Sequence, residues 1–376
     1  MTKTNIKKHI YIIAGEASGD LLGAEILKNF KKNEVEISGI GGERMSEFGL
    51  KSIFDYNDLA VMGVVDILKK YKFLKSRIQI TIDDIKQKKP DIVITIDTQS
   101  FSRRIAQGIQ DLSVHKMQVV APSVWASRKH RAELYARLFD SIMCIFPFEQ
   151  KLFKGVKTYF VGHPSCDKKP DKSKIDLRKK YNVNKNDKLI ALLAGSRNSE
   201  IKYCLDMYID AIQKLDSNIH IFAPVVKNQK DKIKEKLEKS GLKYNIIEQD
   251  EKNDALQYCD CAIATIGTVT LELAILGVPM VVAYNTSIIS KLIMKLFYYP
   301  PYASLPNIVL GHRNIVPEFV RDNANSTKIA NAVKEVLASG GTEQKREFKK
   351  IYKILKSPDG EYGKSIYKKI KGIIKI

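Results

Sequence analysis

Short, β-rich apolar runs alternate with helix-length segments along this chain, in two successive series. The first series comprises residues 9–14, 35–40, 91–96, 117–121, 141–145 and 159–161. The second comprises 189–193, 219–224, 244–247, 261–265 and 280–284, with helices expected between them, as over 200–215 and 269–276. This alternation signals βαβ units and a parallel sheet. Nearly uninterrupted apolar strands fit a sheet covered on both faces. A polar, lysine-rich stretch over 164–188 separates the series. At 376 residues the chain exceeds one ordinary core. The expected fold class is therefore α/β, with two doubly wound Rossmann-like domains facing a central cleft. Their expected bounds are 1–170 and 171–345. A basic helical tail over 346–376 follows, and it packs either on the first domain or on a partner chain.

Lys and Arg number 63 against 42 Asp and Glu, a net charge of +21, which calls for an anionic partner without saying which. No recognition helix, RNP motif or zinc finger supports nucleic acid, so none is expected as a partner. The tail from Lys345 to Ile376 carries eleven basic and three acidic residues. The longest apolar runs, such as 278–284, fall far short of the roughly 18 residues of a spanning helix. Lys7, Lys8 and the run 9–14 are too brief for a secretory signal, and Glu16 follows at once. The five cysteines show no C-x-x-C pair and no zinc-ligand spacing. They are expected to be small buried hydrophobes in a reducing cytoplasm.

Four strand-to-helix turns carry the candidate chemistry. The first is Gly15-Glu16-Ala17-Ser18-Gly19-Asp20, with a helix expected from Leu21 and Ser18 or Asp20 as its cap. A tight turn accounts for the glycines but leaves Glu16 unexplained. The second is Asp97, a carboxylate at the end of the apolar run 91–96, where desolvation raises its pKa towards that of a useful base. The third is Ala194-Gly195-Ser196-Arg197, where backbone amides, the helix dipole and the guanidinium can hold a phosphate. The fourth is Gly267-Thr268 with Glu272 about one helical turn on, placed to accept ribose hydroxyls from a nucleotide whose diphosphate sits on the helix N-terminus. No D-x-D motif lies beside these turns, so the diphosphate is expected to be held without a metal or other cofactor.

Ten ordered segments resemble the lipid-A-disaccharide synthase family. They are GEASGDLLGAEIL from Gly15, GIGGERM from Gly39, LAVMGVVDIL from Leu59, PDIVITID from Pro90, APSVWASR from Ala121, FPFE from Phe146, VGHP from Val161, AGSR from Ala194, IGTVTLE from Ile266 and SLPNIVLG from Ser304. The resemblance implies the GT-B fold and an inverting glycosyltransferase. Such an enzyme joins UDP-2,3-diacylglucosamine to 2,3-diacylglucosamine 1-phosphate through a β-1,6 bond and releases UDP. By resemblance, Asp97 and Arg197 match catalytic positions, with Glu16 and His163 competing with Asp97 for the role of base. His163 can alternatively be a hinge or a diphosphate contact. Gly195, Ser196, Arg197, Gly267, Thr268, Glu272 and Asn307 form the expected UDP-sugar set.

An amphipathic stripe in 59–74, with lysines crowding one end, fits an interfacial helix, although packing into the core is the commoner fate of such a stripe. It makes Val61, Met62, Val64, Val65, Leu68, Lys69 and Lys70 the expected acceptor- and membrane-facing set. The partners are then the two acylated sugars and the inner face of an anionic membrane, reached from the cytoplasm, with a homodimer left open. Ser100 stands where the family has a second Asp, Ser127 replaces an aromatic and Glu43 replaces a proline before Arg44. A UDP-sugar 2-epimerase of the same architecture is the alternative.

Overall fold

The computed structural model describes residues 7–59, 71–126, 130–167, 177–215, 218–287 and 301–376. It divides into two compact units, Met1–Asp167 with Leu355–Ile376, and Lys168–Ile354.

The first unit is built on six parallel strands: β1 Lys8–Ala14, β2 Val35–Ile40, β3 Ile92–Ile96, β4 His115–Val119, β5 Ser141–Cys144 and β6 Lys157–Phe160. Their order is β2-β1-β3-β4-β5-β6. Strand alternation sends Ile10, Ile12, Ile92 and Ile94 to one face and Tyr11, Ile13 and Val93 to the other. Both faces are buried, which is why these strands read as continuous apolar runs. On the first face Tyr362, Ile366, Ile370 and Ile374, spaced by four, bury one side of the helix Tyr362–Ile374. That helix meets Ala17–Leu27 so closely that a Cβ at Gly363 would lie 2.0 Å from the Glu25 carbonyl oxygen. On the second face lie Ile82 and Ile85 of the helix Tyr71–Lys88, where Asp84 accepts a 2.7 Å hydrogen bond from the Tyr11 hydroxyl.

The second unit repeats the design with β7 Lys188–Leu193, β8 Ile219–Pro224, β9 Lys243–Ile247, β10 Cys261–Ala264, β11 Met280–Tyr284 and β12 Glu318–Val320. All pairs are parallel, in the order β12-β11-β10-β7-β8-β9. The helices Asn198–Gln213 and Ser326–Ser339 cover one face. The latter starts at Asn325, whose side chain accepts from the Lys328 amide at 2.9 Å, and stops at left-handed Gly340.

Strand ends differ from the sequence reading by one or two residues, and one strand is absent from it. β4 ends at Val119 rather than 121, because Val120 turns left-handed with φ 66°. β12, three half-buried residues at a sheet edge, is too short to leave a periodic signal. All five cysteines are free and buried.

In each sheet the strand order reverses once. In the first unit this falls between β1 and β3, and in the second between β7 and β10. Ligands of open α/β sheets sit beyond the carboxyl ends of the strands at this switch point. The four turns singled out in the sequence follow these four strands.

Candidate active site

In the first unit the ends of β1 and β3 are pressed together. A Cβ at Gly15 would fall 2.4 Å from the Thr98 methyl, so only glycine fits there. The following helix, Ala17–Leu27, opens four residues earlier than the sequence indicated and leaves Glu16 exposed at its N-cap. Asp20 does not cap this helix. Its carboxylate reaches 22 residues along the chain to accept the Gly42 amide at 2.7 Å, with Arg44 and Met45 at 3.0 and 3.2 Å. It thereby joins the first two resemblance segments. Beside this clamp a cleft of about 750 Å³ opens, lined by Ala17, Leu21, Arg44, Phe54, Tyr56 and Asn57 among others.

Asp97 follows β3 in a left-handed conformation, φ 57°, with its amide on the Val119 carbonyl at 3.0 Å. It caps no helix, since Thr98 precedes the next one, Gln99–Gly108. The side chain is half-buried, and burial, then the Glu16 carboxylate, raises its carboxyl above the ordinary value. Ser100, exposed on the helix Gln99–Gly108, supplies no carboxylate.

His163 lies elsewhere on this edge. Its Nδ1 accepts the Ser165 amide at 3.2 Å, its ring tilts over Phe146, and burial pushes its pKa down to about 4. A Cβ at the preceding Gly162 would meet Ser357 at 2.4 Å, so the Gly-His-Pro turn is seated against the returning C-terminal segment. Next to it is a residue the sequence reading overlooked. Glu149, 1% exposed, accepts the Ile145 and Phe146 amides at 3.1 and 3.0 Å and the Trp125 indole N–H at 3.2 Å, and burial still pushes its carboxyl up to about 8. Its signal was positional: it is the first acidic residue after Pro147 at the start of a helical turn.

The two turns of the second unit prove unlike each other. Gly195 is left-handed, φ 108°, and brings the buried Glu200 carboxylate against the turn. Glu200 accepts the Ser196 and Arg197 amides at 2.8 and 3.1 Å and pairs with the Arg197 guanidinium at 3.1 Å. The amides expected to hold a phosphate therefore serve an internal capping carboxylate, and at this turn the exposed Arg197 head remains the group for an anion. Gly267, φ 148° and ψ −169°, occupies backbone space essentially restricted to glycine and puts no side-chain cap on the helix Thr268–Leu276. At this N-terminus Thr268 is exposed and, among the described residues, no carboxylate caps the amides, unlike at that of Asn198–Gln213.

Glu272 pairs with Lys252 at 2.6 Å. Asn307 is fully buried, and its hydrogen-bonding sites are filled internally. Nδ2 donates to the Val316 carbonyl and to Glu318, and Oδ1 accepts the Ile315 and Val316 amides. Glu318 also accepts the Ala303 and Ser304 amides and the Ser304 hydroxyl, binding the segment 303–307 to the start of β12. Val61, Met62, Val64, Val65, Leu68, Lys69 and Lys70 lie outside the described residues, as does Ser127. Among the described residues no cluster of metal-ligating side chains occurs, and no helix is long and apolar enough to cross a membrane.

Two doubly wound parallel sheets, each with two of the candidate turns at its switch point, define an α/β protein of the GT-B type. The chain belongs to the lipid-A-disaccharide synthase family, which makes it a glycosyltransferase: the family model described as lipid-A-disaccharide synthetase matches residues 10–369. It is 36% identical over 342 residues to the lipid-A-disaccharide synthase of Rickettsia prowazekii (strain Madrid E), covering 88% of this chain and 90% of that one. Among solved structures it is similar to Staphylococcus aureus MnaA with UDP (TM-score 0.65, 16% identity, 98% and 97% of the two chains). It is also similar to a UDP-N-acetylglucosamine 2-epimerase from Listeria monocytogenes (TM-score 0.64, 14% identity, 97% and 96%). At such identities these two likenesses show the fold alone.

Proposed function

We propose that this chain transfers 2,3-diacylglucosamine from UDP to the 6-hydroxyl of 2,3-diacylglucosamine 1-phosphate. The observation that carries this reading is the position of all four turns at the two switch points. The roles divide between the units. In the first, Asp97 takes the proton of the attacking hydroxyl, Glu16 lies on the neighbouring turn, and the cleft beside Ala17 and Tyr56 offers room for an acceptor sugar. In the second, the Thr268–Leu276 N-terminus and Arg197 receive the departing diphosphate without a metal, and Glu272 receives the ribose hydroxyls. Asn307 positions the 303–307 segment rather than touching the nucleotide, since its hydrogen bonds are already made. The enzyme should release UDP only when both sugars are present. Conversion of the donor to a 2-epimer without acceptor would instead establish the epimerase alternative.

The reading extends to the inner leaflet of an anionic membrane. On the helix Tyr71–Lys88, Tyr71 and Phe73 are 49% and 39% exposed, beside exposed Lys72 and Lys75. Behind them Arg77 lies over the rings of Phe54 and Phe73 and pairs with Asp58 at 2.8 Å, which ties this helix to the segment 54–58. Wild-type protein should float with liposomes containing anionic phospholipid, and a folded Val64→Glu, Ile67→Glu double variant should remain in the dense fraction. Equal flotation of the two would remove this surface from the reading.

A further inference from the structure

Among the buried apolar residues of β3 and β4, one cross-strand pair is polar: Thr95 opposite Gln118, 1% and 0% exposed. Burying an amide costs free energy unless its hydrogen bonds are made. Here they are. The Thr95 hydroxyl donates to Gln118 Oε1 at 2.8 Å, which fixes the orientation of the amide. Gln118 Nε2 then donates to three backbone carbonyls, those of Asp97 at 3.3 Å, Val119 at 2.9 Å and Val120 at 3.2 Å.

Two of these carbonyls belong to the first residues beyond β3 and β4, and both residues are left-handed, Asp97 at φ 57° and Val120 at φ 66°. Aspartate tolerates this region better than most residues, but for a β-branched valine it is a true outlier. Each such residue is strained and persists only where its surroundings over-determine it. One buried amide reaching both carbonyls is such a constraint. Without the left-handed turn, β3 would continue in extended backbone and Asp97 would leave in another direction.

We propose that Gln118, oriented by Thr95, is a positioning residue for the transfer reaction: its amide locks the turns after β3 and β4 and so aims the Asp97 carboxylate. The proposal rests on the reading of Asp97 as the base. Gln118→Met fills the same volume with an apolar side chain and removes the donors. It should lower kcat by about 10- to 100-fold, the scale expected for a misplaced catalytic group. The KM for the donor and the affinity for UDP should remain unchanged, and the acid limb of the kcat–pH profile, which reports Asp97, should shift. Thr95→Val, which removes only the orienting hydroxyl, should act in the same direction more weakly, and it serves as the test if the Met variant does not fold. Placed on Asp97→Asn, Gln118→Met should cost little more, because both changes act through one carboxylate. A folded Gln118→Met or Thr95→Val enzyme with wild-type kcat and an unmoved acid limb overturns the positioning role, while the base assignment stands if Asp97→Asn alone is impaired. A near-normal Asp97→Asn enzyme removes the base reading and the proposal with it.

Discussion

Asp97→Asn should lower kcat by about 10²- to 10⁴-fold, the range lost with a general base, while leaving UDP affinity intact. Asparagine keeps the size of the side chain and is itself comfortable in left-handed backbone, so the turn at φ 57° survives the change. What is lost is the capacity to take a proton. Burial and the Glu16 carboxylate both favour the protonated form of Asp97, so activity should fall on acidification at a pH above the ordinary carboxylate range. Glu16→Gln would remove the repulsion, shift that limb to lower pH and leave most of kcat in place. If the Asn variant retains near-normal kcat while Glu16→Gln or His163→Gln loses it, the proton goes elsewhere and Asp97 only orients the acceptor. The geometry of His163 argues against it: the ring is 5% exposed and its Nδ1 is already occupied by the Ser165 amide.

All the strands but β12 were legible, and for the central ones burial on both faces leaves little choice of residue: β1 is buried at every position after Lys8, and β10 throughout. The places of the four candidate turns were legible for a related reason, since glycines and charged residues stand out at the end of apolar runs. What escaped was the partner of several buried polar groups. Asp20 caps a turn beginning 22 residues downstream, Glu318 collects donors from 303–307, and Gln118 serves carbonyls at the ends of two strands. Most of these partners are backbone groups, which every residue carries, so no side-chain pattern marks them. Glu200 shows how a local rule can half-succeed. It sits at the capping-box position, but Arg197 rather than serine or threonine precedes it, so the turn read as an anion site whose amides turn out to be spent.

The Glu149 carboxyl should leave a signature in the stability of the protein between pH 6.5 and 8. Its proton is held to about pH 8 in the folded state against an ordinary value of 4.5, because burial outweighs the three N–H donors around it. Between these values the unfolded chain binds fewer protons than the folded one, so this group lowers stability by about 1.4 kcal/mol for each unit of rising pH. His163 acts in the opposite sense. Burial depresses it from 6.5 to about 4, so in that window the unfolded chain binds more protons and stability rises with pH. The two slopes offset one another between about 4.5 and 6.5, and above 6.5 that of Glu149 is left alone. Wild-type unfolding free energy, from denaturant titrations at a series of pH values, should therefore decline from pH 6.5 to 8. Glu149→Gln, whatever its own constant cost, should remove that decline and uncover a rise between pH 4 and 6.5. Trp125 is the single tryptophan of the chain and donates to this carboxylate, so its emission should titrate with a midpoint near 8 in the wild type and not at all in the variant. A wild-type midpoint below 6, or the same decline in the Gln variant, would mean that Glu149 is ionised in its buried place and that its three N–H donors outweigh the loss of water.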